Sequence, residues 1–184
     1  MFRPLKRVEG QDIKRAVIAN AVGTGSYPIS VGDAIQPGAT GHAKYVTVAG
    51  ATNPILGIVT SIVQNGKVSE KATITGINAA ETGSPSTGPG TDNETYAVWS
   101  VDYIPSSVPM EYEADISAVA GTTTDSSAVG GYFNLKSIAT TGDTYGTLDE
   151  SSIVLFSSTQ GQFVSFGYTP YNTLKVFCKI SKFL

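Results

Sequence analysis

Cysteine and histidine each occur once in this 184-residue chain, as Cys178 and His42. One cysteine excludes an intrachain disulfide. Cys178 stands at an alternating apolar position in LKVFCKI, the place of a small buried hydrophobe rather than a reactive thiol. A Ser-His or Cys-His nucleophile would have to use His42 together with a third, orienting group. His42 lies in the turn-rich stretch GATGHAKY, which reads as exposed and carries no such partner. One His and one Cys also leave no histidine-based zinc site. Charged residues make up 15% of the chain, against roughly 25% in ordinary soluble domains. No apolar run approaches the roughly 18 residues of a membrane span. MFRPLKRVEG has no apolar h-region, so no secretory signal is expected there, and the chain is expected to be soluble and made in a cytoplasm. No segment keeps a helical period beyond about ten residues. GATGHAK has the flavour of a phosphate loop, but its spacing before Lys44 is wrong and neither Ser/Thr nor a helix follows. Gly23 and Gly25 make no dinucleotide fingerprint, since no βαβ unit surrounds them.

What remains is strand and turn. The chain is 41% hydrophobic, enough for a core, and holds 20 glycines with abundant Ser and Thr. That composition suits an all-β protein with many turns, and also one that buries surface against partners. Residues 27–63 read as a run of short strands broken by Gly, Pro and Asn. Gly32-Asp33 is a turn signal, because Gly accepts positive φ and Asp bonds the backbone beyond it. Ala43 to Ala49 alternates as a strand, and Ile55 to Val63 is apolar enough to be buried on both faces. Asn65-Gly66 marks a hairpin into Lys67 to Ile77. The expected fold is a small β-barrel or β-sandwich of short antiparallel strands.

The clearest break is Asn78 to Asn93, poor in apolar residues and rich in Gly, Pro, Ser and Thr. It divides the body, residues 21–184, into a module over 21–77 and a second over 94–184, joined by a long loop or linker. The second module opens with ETYAVWSVDYI, where Ala97, Trp99, Val101 and Tyr103 share one face. VPMEYEADI then alternates strictly. Val108, Met110, Tyr112, Ala114 and Ile116 point inward; Glu111, Glu113 and Asp115 point out. Pro109 suggests an edge or the start of a strand, with the acids guarding that edge. Ser117 to Gly131 is a second Ser/Thr/Gly loop, and strands over Tyr132–Ala139, Ser152–Ser157, Gln162–Tyr168 and Leu174–Ile180 complete the sheet.

Residues 1–20 read as an arm punctuated by Pro4 and Gly10, with Val17, Ile18 and Ala19 reaching the core. The net charge of −3 argues against a dedicated nucleic-acid binder. Its distribution is uneven. Arg3, Lys6, Arg7, Lys14 and Arg15 face only Glu9 and Asp12 near the start, while Lys175, Lys179 and Lys182 meet no acid beyond Ser151. Positive ends on a negative body fit a chain whose ends dock on an acidic partner; solubility alone is the plainer explanation. Tyr168, Tyr171 and Phe183 either pack in the core or join Lys179 and Lys182 in that interface. Glu111 and Glu113 stand about 7 Å apart on one strand face, a separation that glycosidase carboxylates also use, though a solvated face explains them as well. Calcium at Asp92, Asn93 and Glu94, or at Asp143, Asp149 and Glu150, has no ligand loop of recognised register behind it. No cofactor or metal is expected.

ISVGDAIQPG, a strand, then NPILGIVTSIV resembles the small β-rich capsid decoration (cementing, auxiliary) proteins of tailed bacteriophages. PMEYEADISAVAGTTTDSSAVGGYFNL and SFGYTPYNTLKVFCKI are similar to the second half of such proteins, so the resemblance runs from about Ser26 to Ile180. It implies a non-enzymatic virion protein on the outer capsid surface, made in a bacterial host, with the major capsid protein and its own copies, often as trimers, for partners. It carries over no catalytic residue. The basic 1–20 arm would then be the clamp, and Arg3, Lys6, Arg7, Lys14, Arg15, Lys179, Lys182 and Phe183 the docking residues. A head-fibre base or host-surface adhesin, and a glycan hydrolase working through the carboxylates, are the alternatives.

Overall fold

The structure is a computed structural model that describes residues 1–17, 26–37, 43–45, 54–64, 67–69, 71–75, 99–117, 129–135, 147–155, 161–169 and 172–181. The strands in chain order are β1 (Phe2–Pro4), β2 (Lys14–Val17), β3 (Ser26–Ser30), β4 (Ala34–Pro37), β5 (Ala43–Tyr45), β6 (Gly57–Gln64), β7 (Lys67–Ser69), β8 (Lys71–Thr75), β9 (Trp99–Pro105), β10 (Glu111–Ser117), β11 (Gly131–Leu135), β12 (Thr147–Leu155), β13 (Phe163–Thr169) and β14 (Asn172–Ile180). A 3-10 turn at Gly10–Asp12 lies between β1 and β2. The fold is all-β: two curled sheets form a half-barrel-like sandwich. Of the pairings described, β10 with β12 runs parallel and the rest antiparallel.

The first sheet runs β1-β10-β12-β11-β13-β14, and a further pairing of β10 with β14 returns it on itself. The second runs β2-β9-β6-β4-β5 with β7 on β6, while β3 and β8 form a two-stranded ribbon. Apart from β1, the sheets therefore divide the chain after Pro105 rather than at residues 78–93. Trp99–Pro105, expected in the second module, is the central partner of β6. The physical reason is burial. Val101 and Tyr103 join Ile35, Val59 and Ile62 in one apolar cluster, while Ile104 turns the other way into the main core.

Residues 1–17 are likewise no separate arm. β1 belongs to the first sheet and β2 to the second. Phe2 is 2% exposed; its ring stacks on Phe163 at 4.5 Å and meets Tyr112 edge-on at 6.1 Å. Its amide donates to the Gly32 carbonyl at 2.9 Å. Main-chain pairing plus a buried phenyl outweighs the charges around it in MFRPLKR. Of the remaining arm, Val17 is in β2, and Ile18 and Ala19 lie outside the described residues.

Ile55–Val63 is buried on both faces, as expected. Ile55 and Ile58 enter the main core, and Val59 and Ile62 enter the second cluster. The pairing with β9 shifts between Val59 and Ser61, so Thr60 is an extra residue. That bulge lets two side chains three positions apart share a face. Gly57 is required here, because a Cβ would collide with the Ile104 carbonyl and the Tyr103 ring. The Gly32-Asp33 turn forms with Gly32 at φ 84°, where other residues are strained. Asp33 is buried and its carboxylate accepts from the Ser30 amide at 2.7 Å. Gly32 and Asp33 also exchange main-chain bonds with Val59 at 2.8 and 2.9 Å. This turn is a structural joint rather than a lightly used loop.

The inward row on β10 is as expected, with Met110, Tyr112, Ala114 and Ile116 all buried. β10 is not an edge, however. β14 covers one side, and β1 and β12 share the other. Pro109 precedes the strand, where its missing N–H costs no ladder bond. The Tyr112 hydroxyl is buried with no hydrogen-bond partner among the described residues, and burial pushes the phenol's pKa up.

Phe2→Ala should cost about 3–5 kcal/mol of unfolding free energy in a urea titration; a loss under about 1 kcal/mol would remove Phe2 from the core. Tyr112→Phe should be neutral or stabilising, because it deletes an unsatisfied polar group whose burial costs about 1–3 kcal/mol. A clear destabilisation in the same titration would show that the hydroxyl is satisfied.

Candidate docking surface

The cations expected to dock fall into two groups. Arg3 is opposite Glu113 in the β1–β10 register and donates to it at 3.4 Å. Arg15 is opposite Asp102 in the β2–β9 register and grips it with two bonds of 2.7 and 2.9 Å. The Ser61 hydroxyl donates to the same carboxylate at 2.8 Å. These two arginines are cross-strand ties of the fold. Lys6, Arg7, Lys14 and Lys179 are exposed and make no ion pair among the described residues. Lys182 and Phe183 lie outside those residues.

The outward acids on β10 are not a bare solvated row. Lys175, on β14, bonds Glu113 at 2.9 Å and Asp115 at 3.0 Å. The Met1 ammonium adds a bond to Asp115 at 2.9 Å. Three strands thus carry a ladder of alternating sign. Burial raises the Asp115 pKa, and the bonds to the Met1 ammonium and Lys175 outweigh it, so the carboxyl titrates below its ordinary range. The bond to Glu113 chiefly raises the pKa of Lys175 against its burial. Glu111 alone of the three stands exposed without an ion pair among the described residues.

Glu111 and Lys179 are register partners across β10 and β14. They rim a groove of about 360 Å³ whose other walls are Ser106, Ser107, Val108, Pro109, Met110 and Ile180. The 106–110 turn is held by main-chain bonds: the Ser106 amide to the Leu56 carbonyl, Val108 to Pro105, and Met110 to Val108. The opposite wall is fixed by Gln162, which is fully buried. Its side-chain oxygen accepts from the Leu135 amide at 3.0 Å, and its carbonyl accepts from the Ser181 amide at 2.9 Å. The Leu5 amide donates to the Glu111 carbonyl at 2.9 Å. Lys6 and Arg7 therefore follow a residue anchored at the groove's rim, and Val8, like Val108 and Ile180, packs on the main core.

The aromatic tail divides. Phe163 is core, whereas Phe166 and Tyr168 are 41% and 38% exposed. Phe166 stacks on Phe177 at 6.3 Å. Tyr171 and Phe156 lie outside the described residues. Cys178 is fully buried opposite Tyr112, and burial pushes its thiol pKa up. His42, the loops 78–93 and 118–128, and the calcium candidates Asp92, Asn93, Glu94 and Asp143 are outside the described residues, as are the side chains of Asp149 and Glu150. Among the described residues no three His, Cys, Asp or Glu side chains gather as metal ligands. No helix there is long and apolar enough to cross a membrane.

The groove had no signal of its own in the sequence. VPMEYEADI marked a strand, but only the β10–β14 register brings Glu111 to Lys179. The role of Lys175 was hidden in the same way. Compared with protein-family models, curated proteins and solved structures, the chain matches none.

The Arg15 bonds chiefly hold the Asp102 carboxyl below its ordinary value of 3.8, against its burial. A lowered folded pKa stabilises above the unfolded value, and the gain is lost as pH falls through the folded one. Asp102→Asn should therefore lower the melting temperature at pH 7, with the gap to the parent closing as pH drops below about 4. A gap unchanged down to pH 2 would mean that the carboxylate's charge contributes nothing.

Proposed function

We propose that this chain is a non-enzymatic decoration protein of a tailed-bacteriophage head. It binds the outer capsid surface and bridges neighbouring subunits of the major capsid protein. The observation that carries this reading is the exposed Lys179 lining a part-apolar groove, with Lys6 and Arg7, exposed and without an ion pair among the described residues, following Leu5, whose amide bonds the Glu111 carbonyl. Such a surface steers and orients an acidic partner, and its apolar floor supplies contact area that charge alone does not. Lys14, on β2, is a further exposed cation. Repetition over a capsid lattice lets weak individual contacts add up. Following the resemblance, the partner besides the shell is a second and third copy of the chain, the place of action is the virion exterior, and neither nucleic acid nor membrane is bound. Asp115, held below its ordinary carboxyl range by its bonds to the Met1 ammonium and Lys175, is ill-suited to be the general acid of glycan cleavage, which needs a carboxyl that holds a proton near neutral pH.

The test is co-sedimentation of the purified chain with expanded empty capsids of its own phage, together with the melting temperature of those capsids. Binding should be saturable and raise the capsid melting temperature. A Lys6→Glu/Arg7→Glu variant, folded as judged by its own melting curve, should bind at least tenfold more weakly. A chain that ignores the capsids and adheres to host cells is an adhesin instead.

A further inference from the structure

We infer that the groove between the 106–111 turn and the end of β14 receives a short extended peptide segment of the capsid partner, with an aliphatic side chain next to a carboxylate. This deepens the docking reading above and rests on it. The floor is apolar: Met110 is 4% exposed, and Val108 and Ile180 are packed on the main core. A volume of about 360 Å³ lies at the small end of the roughly 300–1,000 Å³ of ligand pockets, room for a few side chains rather than a large ligand.

The rim decides the chemistry. Lys179 lines the groove with Ser107, both exposed, an ammonium and a hydroxyl donor on one opening. Lys6 and Arg7 follow Leu5, which is bonded to the rim at Glu111. Glu111, directly across from Lys179, makes the rim asymmetric. It repels a second negative charge, so a monoanionic carboxylate fits better than a phosphate dianion. It also orients the segment, carboxylate toward Lys179 and main-chain N–H toward Glu111. The Ser106 amide is spent on the Leu56 carbonyl and those of Val108 and Met110 within the turn, and Pro109 has no amide, so the wall is a poor ladder for an added strand. Recognition falls to side chains, which requires the apolar residue as well as the charge. An anionic glycan would satisfy the rim and leave the floor empty.

The test titrates the full chain into three fluorescein-labelled peptides that differ at two central positions: Gly-Gly-Leu-Asp-Gly-Gly, its Leu-Asn form and its Ser-Asp form. The Leu-Asp peptide should bind at least tenfold more tightly than either relative. Lys179→Glu should abolish that preference, and Glu111→Gln should strengthen Leu-Asp binding a few-fold. Equal binding of the three peptides overturns the inference, as does binding of a heparin oligosaccharide without selectivity among the peptides. Co-sedimentation of Lys179→Glu and Val108→Asp with expanded capsids separates the two readings, each variant first shown to melt cooperatively. Parent-like capsid binding by both variants overturns the groove and leaves decoration standing. Leu-Asp selectivity in a parent chain that ignores capsids overturns decoration and supports the groove as a peptide site.

Discussion

The phenyl ring of Phe2 closes the space between the two sheets. It lies between Phe163 and Tyr112, from opposite parts of the first sheet. Its amide is held by Gly32, whose turn is bonded to β6 of the second sheet. Burying one such ring stabilises by roughly 1.5–3 kcal/mol. The larger effect is geometric. With Phe2 in place, β1 lies along β10, and Arg3 and Leu5 are set against Glu113 and Glu111. Gly32 must stay a glycine for this approach, since a Cβ there would strike the Met1 side chain and the Phe2 carbonyl at 2.8 Å. The groove rim and the charge ladder both inherit their placement from that contact.

Charge in this molecule is divided by register. A cation directly opposite an acid on the next strand is tied, as Arg3 and Arg15 are. A cation opposite no acid, or beyond the strand ends, has no ion pair among the described residues, as with Lys6, Arg7 and Lys14. Lys179 is the intermediate case: it faces Glu111 across the sheet without forming an ion pair, and both remain on the groove's rim. Exposed ties contribute little each, about 0–1 kcal/mol. Their value lies in fixing register, because a slip of one residue would set Arg15 on the wrong face of β9.

The alternation in VPMEYEADI and the double burial of Ile55–Val63 were legible because period-2 patterns report directly on strand faces. The Gly32-Asp33 turn was legible because turn chemistry is local. Three things were not. Phe2 is one aromatic in a charged decapeptide, and its burial depends on Phe163 and Tyr112, more than a hundred positions away. β9 looked like the start of a second module because a glycine-rich stretch precedes it, yet pairing follows hydrophobic complementarity with β6 rather than nearness in sequence. Charge layout along the sequence cannot tell an exposed lysine from an arginine locked to a carboxylate; that distinction exists only once the strands are paired. The groove is the extreme case, formed wholly by a turn and a strand end that approach in space.

The return of the first sheet on itself bears on how the chain is made. β1 pairs with β10, and β10 must then meet β12 and β14 before the ring of strands closes. Four of the six pairings in that sheet join strands that are not consecutive in the chain, β11–β12 and β13–β14 being the two that are, and β2 likewise waits for β9. A chain emerging from the ribosome cannot bury Phe2 until more than a hundred residues have followed it. The β4–β6–β7 meander, by contrast, can pair from neighbours as it appears. Non-local sheets fold slowly, and unpaired edges are exposed to misassociation meanwhile.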